Sequence, residues 1–270
     1  MATALITGGT SGIGAEFARQ LAERGYDLVL VARNTERLET SSERLHSRFG
    51  IKVETISADL ADRADVSRIA ERIEDPHRTI DVLINNAGLG VHTKLTSVDV
   101  AVHEHAFDVM CRTVLVLGGA AGRAMRERGS GRIINVSSLQ SLITTGSYSA
   151  MKAWVTSYSQ SLSVELAGTG VTATAVLPGW VSTEWHARAG VKTSSIPDWL
   201  WTTPESVARI ALRDSERGRV VCVPTGRYKV IGVLLRHLPR GTVRWISGKI
   251  SNRRREDPAG ASVSAHSEES

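Results

Sequence analysis

Thr7-Gly8-Gly9-Thr10-Ser11-Gly12-Ile13-Gly14 stands between a short apolar run, Thr3–Thr7, and an amphipathic stretch over 12–24. A glycine-rich turn that joins a strand to a helix has the form of a phosphate cradle. Glycines let the backbone turn tightly and come close to a pyrophosphate, whose charge then rests on the helix N-terminus. The spacing is G-x-x-x-G-x-G rather than G-x-G-x-x-G. By itself such a turn also serves ordinary loops. Its strand-turn-helix context points to a nucleotide site formed by Gly8, Thr10, Ser11, Gly12, Ile13 and Gly14.

Outward from this turn the chain alternates short β-branched runs with longer helical patterns. Strands are predicted at Thr3–Thr7, Asp27–Ala32, Lys52–Ala58, Asp81–Asn85, Arg132–Ser137, Val171–Leu177 and Arg219–Val223, and helices near 12–24, 34–49, 62–74, 97–128, 147–168 and 204–214. Leu28-Val29-Leu30-Val31 and Ile133-Ile134-Asn135-Val136 are almost continuously apolar, as strands covered on both faces should be. Repeated strand–helix–strand units require right-handed crossovers. The predicted fold is therefore α/β: a Rossmann-like, doubly wound, seven-stranded parallel sheet with helices on both faces.

The end of the second strand bears on which dinucleotide would bind. An acidic residue there would take the ribose 2′-hydroxyl of NAD. The chain instead reads Val31-Ala32-Arg33-Asn34. Arg33 can pair with a 2′-phosphate, which favours NADP(H); the alternative is a solvated surface arginine.

Tyr148-Ser149-Ala150-Met151-Lys152 opens a long helical stretch. Four residues along a helix return to the same face, so Tyr148 and Lys152 can address one site. An ammonium near a phenol favours the phenolate. Bringing that pKa from about 10 toward neutrality takes about 3–4 kcal/mol of differential stabilisation.

Taken together, TGGTSGIG at 7–14, Asp59-Leu60, Asn85-Asn86-Ala87-Gly88, Ser137-Ser138, YSAMK at 148–152, and Pro178-Gly179 with Thr183 make the chain resemble the short-chain dehydrogenase/reductase family over about residues 1–225. The resemblance implies an NADP(H)-dependent oxidoreductase that interconverts a carbonyl and a secondary alcohol. It implies Tyr148 as general acid/base, Lys152 as the residue that binds the nicotinamide ribose and lowers the Tyr148 pKa, and Ser138 as hydrogen-bond partner of the substrate oxygen. It also implies cofactor contacts at Asp59, Leu60, Asn86, Ala87, Gly88, Pro178, Gly179, Val181 and Thr183. Two features depart from the family pattern. Met110 occupies the place of the family's relay asparagine, and a thioether cannot replace an amide in a water chain. Only nine residues separate Ser138 from Tyr148, which leaves Ser137 or Ser141 as alternative hydroxyls. Both features motivate a competing expectation, a non-catalytic NADP(H)-binding regulatory protein.

Trp180, Trp185, Trp199 and Trp201 fall within the stretch 180–203, which in the family forms the substrate flap. Clustered indoles suit a bulky apolar substrate of steroid, retinoid, 3-oxoacyl or ketone type, or else they pack the flap on the domain. Met110, Trp180, Trp185 and Trp199 are the expected substrate contacts. The family resemblance further implies a homodimer or homotetramer.

Composition narrows the rest. The 270 residues are 41% hydrophobic and 23% charged, ordinary for a globular chain. No run approaches the ~18 apolar residues of a membrane span. The first strand begins almost at Met1, which leaves no room for a signal peptide, and Cys111 and Cys222 read as reduced thiols, so a cytoplasmic protein is expected. The eight histidines form no metal signature, and His103 and His105 are expected on a helix surface. The net charge of +5 is concentrated at 226–255, which has nine Lys and Arg and no acid; the remainder has 24 basic and 28 acidic residues. That argues against a nucleic-acid role. The basic extension shows helical periodicity, with Ile231, Leu234, Leu235 and Leu238 on one face, a break at Pro239 and Gly241, and Val243, Ile246 and Ile250 on the next helix. It suits an anionic membrane surface, an acidic carrier protein, or simple packing on the domain. Residues 256–270 read as a disordered tail.

Overall fold

The computed structural model describes residues 1–182 and 198–255. Strand and helix alternate through β1 (Thr3–Thr7), α1 (Gly12–Glu23), β2 (Asp27–Ala32), α2 (Thr35–Phe49), β3 (Val53–Ser57), α3 (Arg63–Glu74) and β4 (Val82–Asn85). They continue through α4 (Ala101–Phe107), α5 (Thr113–Arg128), β5 (Gly131–Val136), α6 (Ser147–Glu165), β6 (Val171–Val176), α7 (Pro204–Glu216) and β7 (Val221–Cys222). Two further helices, α8 (Gly226–His237) and α9 (Arg240–Arg255), close the described chain.

The seven strands are parallel in the order β3-β2-β1-β4-β5-β6-β7, the expected doubly wound sheet. Period-two alternation divides its side chains between two cores. Leu5, Leu83 and Ile133 face Ile69 of α3, Leu117 of α5 and Leu162 of α6. Ile6, Ile84 and Ile134 face Phe17 and Leu21 of α1, Leu38 of α2 and Leu212 of α7. Each such side chain contributes about 1.5–3 kcal/mol on burial. The chain leaves β1 toward β2 and β3 and then crosses back to β4. This reversal opens a crevice at the carboxyl ends of β1 and β4, where α/β sheets hold their ligands.

Local differences from the predicted elements have visible causes. The helix expected over 97–128 starts at Ala101 and carries a π-helical turn at Asp108–Arg112. Thr113 Oγ1 lies 2.8 Å from the Leu60 carbonyl and 3.0 Å from that of Asp108, tying this widened turn to the loop after β3. β7 is shorter than expected because the Arg219 N–H returns to the Asp214 carbonyl at the end of α7. α8 and α9 flank Pro239 as predicted, but the buried face of α8 is rotated. Tyr228 is buried, Gly232 packs against Leu139 and Leu142, and Leu234, on one stripe with Ile231 and Leu235 in the sequence, is 57% exposed. The large aromatic at 228 sets the helix phase, so 228, 231, 232 and 235 face the domain. The predicted tail at 256–270 lies outside the described residues.

Candidate active site

The glycine turn lies at the crevice, and its form depends on close backbone approach. Gly8 has φ +66°, and a Cβ on Gly14 would fall 2.1 Å from the Gly8 carbonyl oxygen and 2.5 Å from Asn86 Nδ2. Asn86 Nδ2 donates to the carbonyls of Thr7 and Gly8 at 3.1 and 3.2 Å. Thr7 Oγ1 accepts from the N–H groups of Asn86 and Ala87 at 3.0 and 3.1 Å. Two loops 79 positions apart are thereby locked together. Thr7 is the member of this lock that the sequence motif did not single out.

Ser11 precedes α1 in an extended conformation without making a side-chain cap, and the first turn of α1 holds no acidic residue. Asn34, Asp62 and Thr203, by contrast, cap their own helices. The α1 terminus thus presents uncapped N–H groups and a serine hydroxyl to the crevice, which is what a phosphate requires. At the end of β2, Arg33 is exposed and its carbonyl accepts from Ser57 Oγ at 3.1 Å. Asp59 Oδ1 accepts from the Ala61 N–H at 2.9 Å, and the Leu60 side chain is buried in the core. The residues present fit a dinucleotide phosphate with added negative charge near Arg33.

Tyr148 and Lys152 are carried by α6, which is pinned to the sheet along its length. Ser137 Oγ donates to the Lys152 carbonyl at 2.7 Å and lies 2.7 Å from Thr156 Oγ1, while Asn135 Nδ2 donates to Ser159 Oγ at 2.9 Å. Ser137 is thereby engaged in helix packing. Ser138 is the serine close enough to the Tyr148 hydroxyl to oppose the rise of its pKa, and its Oγ accepts from the Gln140 N–H at 3.1 Å. Ser141 Oγ is buried without a partner. Lys152 is 4% exposed, donates to the Val136 carbonyl at 2.8 Å, and places its ammonium 5.8 Å from the Tyr148 ring centroid.

The electrostatics correct the expected lowering of the Tyr148 pKa. Burial pushes the phenol up to about 12, with the Ser138 hydrogen bond opposing it. Burial also lowers Lys152 to about 8, opposed by the nearby Cys111. Desolvation penalises each charged form more than the partner rewards it, so the protein alone keeps a neutral phenol. Both cysteines are buried, and burial raises their pKa values to about 11 for Cys111 and about 12 for Cys222.

Met110 is fully buried in the π-helical turn. A Cβ on Gly88 would lie 3.5 Å from Met110 Sδ and 3.6 Å from Lys152 Nζ. The thioether therefore lines the floor behind the lysine rather than an open substrate wall. His103, expected on a helix surface, instead joins Ser147 Oγ at 2.9 Å to the Lys94 carbonyl at 3.1 Å. It fastens the loop before α4 to the start of α6. Trp180 packs against Trp201 at 6.1 Å, and Trp199 is exposed. Gly179 lies against Tyr228, and Val181 is buried and bridged to Thr202. Thr183 and Trp185 lie outside the described residues.

A short chain dehydrogenase family model matches residues 2–192. The chain belongs to the short-chain dehydrogenase/reductase family. A Streptomyces coelicolor protein with a provisional ketoacyl reductase name is 34% identical over 244 residues, covering 83% of this chain and 84% of that one. The structure of a short-chain dehydrogenase from Sphingobium yanoikuyae, solved with NADPH, is similar at a TM-score of 0.78 and 30% identity, covering 100% of this chain and 99% of that one. A bulky-bulky ketone specific alcohol dehydrogenase from Comamonas testosteroni matches at 0.75 and 26%, covering 99% and 97%.

Proposed function

We propose that this short-chain dehydrogenase/reductase interconverts a carbonyl and a secondary alcohol with NADP(H), on a substrate that is bulky and apolar. The observation that carries the reading is the convergence of Ser138, Tyr148 and Lys152, with Lys152 beside Gly88 of the loop that Asn86 ties to the glycine turn. When bound, NADPH supplies a hydride. In reduction, Ser138 donates a hydrogen bond to the carbonyl oxygen and Tyr148 gives that oxygen its proton. The Lys152 ammonium then stabilises the phenolate left behind. The buried thioether of Met110 offers no donor and only a weak acceptor for a relay at its position, so Tyr148 regains its proton by another path. Trp180, Trp201 and the exposed Trp199 support a bulky substrate, as does similarity to a bulky-bulky ketone specific alcohol dehydrogenase. NADPH oxidation across ketones of graded bulk on both sides of the carbonyl tests the reading. If wild-type protein binds NADPH but turns over none of them, the non-catalytic alternative stands.

Arg33 and the absence of a carboxylate at Ala32 support NADPH over NADH. Titration should show NADPH bound at least tenfold more tightly, since a charge-assisted contact to a phosphate is worth about 1.5–3 kcal/mol. The double variant Ala32→Asp, Arg33→Ala should reverse the order. Equal affinities in wild type would end this part of the proposal.

The exposed Leu115 on α5 and Val164 on α6 support a homo-oligomer. The C-terminal helices support a second contact. Among the described residues no helix is long and apolar enough to cross a membrane. Yet Val230, Val233 and Leu234 form an exposed apolar stripe on α8, and Trp245 is exposed on α9 beneath the Lys249 ammonium, 4.0 Å from the ring centroid. With no acid in 226–255, this face matches an anionic lipid surface. The protein should co-sediment with phosphatidylglycerol vesicles at low salt and be released at high salt. Leu234→Glu should abolish the binding without changing ketone reduction. Absence of binding at low salt would leave an acidic protein partner as the reading to test.

A further inference from the structure

Tyr228 lies in the first turn of α8, outside the reacting group, and is 4% exposed. Its ring covers Gly179 so closely that a Cβ there would fall 2.1 Å from Tyr228 Cζ and 2.2 Å from Cε2. Its hydroxyl accepts from the Trp180 N–H at 3.0 Å and donates to the Leu200 carbonyl. Those two residues are the ends of the stretch 180–200. The same stem is closed by the Thr202 N–H donating to the Trp180 carbonyl at 2.9 Å and the Ser182 N–H donating to the Thr202 carbonyl at 3.0 Å. One side chain thus meets the Pro178-Gly179 turn with its ring and both ends of the substrate-side segment with its hydroxyl.

We infer that Tyr228 is a positioning residue, through which the C-terminal helices set the geometry of the carbonyl-binding side of the site. The hydroxyl has one proton, committed to Leu200, and receives Trp180 on a lone pair. A phenylalanine keeps the ring on Gly179 and loses both tethers at once. The neighbouring helix contacts extend the same support. Gly232 packs on Leu139 and Leu142, and Ser247 Oγ accepts from the Thr144 N–H at 3.0 Å, so the loop from Ser138 to Tyr148 also leans on α8 and α9. When the stem is loosened, only a fraction of molecules hold the substrate-ready arrangement, and apparent affinity falls by that fraction. The chemistry, once the substrate is in place, still belongs to Tyr148.

The inference rests on the carbonyl reductase reading, so its test includes a measurement that needs no turnover. In Tyr228→Phe, hydrogen–deuterium exchange at the Trp180 amide should accelerate about tenfold or more, because that N–H loses its acceptor. The KM for a bulky ketone should rise about tenfold, kcat should stay within about threefold, and the NADPH Kd should be nearly unchanged. Tyr228→Ala, which also uncovers Gly179, should weaken NADPH binding as well; if that variant does not fold, Tyr228→Phe alone decides. Unchanged exchange at Trp180 in the Phe variant would overturn the inference, as would faster exchange with an unaltered KM. If wild-type protein reduces no ketone, the reductase reading fails separately, and unchanged or accelerated exchange still decides whether Tyr228 holds the stem.

Discussion

Tyr148→Phe is expected to lower kcat for ketone reduction by about 10²–10⁴-fold while leaving NADPH affinity within about threefold of wild type. The ring and its packing survive this change, so the loss isolates the phenolic proton. Serine and lysine remain to polarise and orient, but neither replaces a proton donor aimed at the carbonyl oxygen. Near-full activity in this variant would place the acid elsewhere. The same group predicts a pH profile. Reduction needs the phenol protonated and Lys152 charged, and burial holds the phenol at about 12 and lowers the ammonium to about 8. Reductive kcat/KM should therefore be level below about pH 8 and fall toward tenfold per unit above it. Oxidation, which uses the phenolate beside a charged Lys152, should climb with pH to about 8 and then level off. A level reductive profile to pH 10 would remove Lys152 from the proposed role.

Gly14→Ala should be nearly as damaging, by a different route. The added methyl would meet the Gly8 carbonyl at 2.1 Å and Asn86 Nδ2 at 2.5 Å, and neither is the free end of a long side chain. Relief requires the turn to open or α1 to withdraw, and either movement takes the helix N-terminus away from the phosphate. An NADPH Kd raised about 100-fold is expected, since the turn places uncapped N–H groups rather than a single contact. Overpacking of this kind costs about 1–3 kcal/mol, which corresponds to a Tm lower by about 2–12 °C. Isothermal titration and thermal unfolding on one preparation separate the two effects. A variant that loses stability but keeps NADPH affinity would show that the turn does not hold the phosphate.

Much of this was legible in the chain because it is local and periodic. Strand runs such as Leu28–Val31 announce burial on both faces, and the turn at 7–14 announces its glycines. The step from Tyr148 to Lys152 is one turn of a helix. What stayed open in the sequence was which residues of a helix face inward. The C-terminal stripe through Leu234 follows a sound helical pattern, yet the bulk of Tyr228 rotates α8 and turns Leu234 outward. Nothing near Tyr228 in sequence marks it, because its partners at Trp180 and Leu200 stand 48 and 28 positions away.

The sequence by itself determined the parallel α/β sheet, the glycine turn at its switch point and the residues available for proton transfer. These depend on hydrophobic period, backbone permissiveness and residue chemistry, all of which are properties of short stretches. Tertiary structure alone decided that Ser138 rather than Ser137 lies beside Tyr148, that Met110 lies beneath Gly88 beside Lys152, and that Tyr228 joins Trp180 to Leu200. It also reversed the expected direction of the Tyr148 pKa. Desolvation and pairing depend on what distant parts of the chain bring to the same few ångströms, and no spacing within one segment records that.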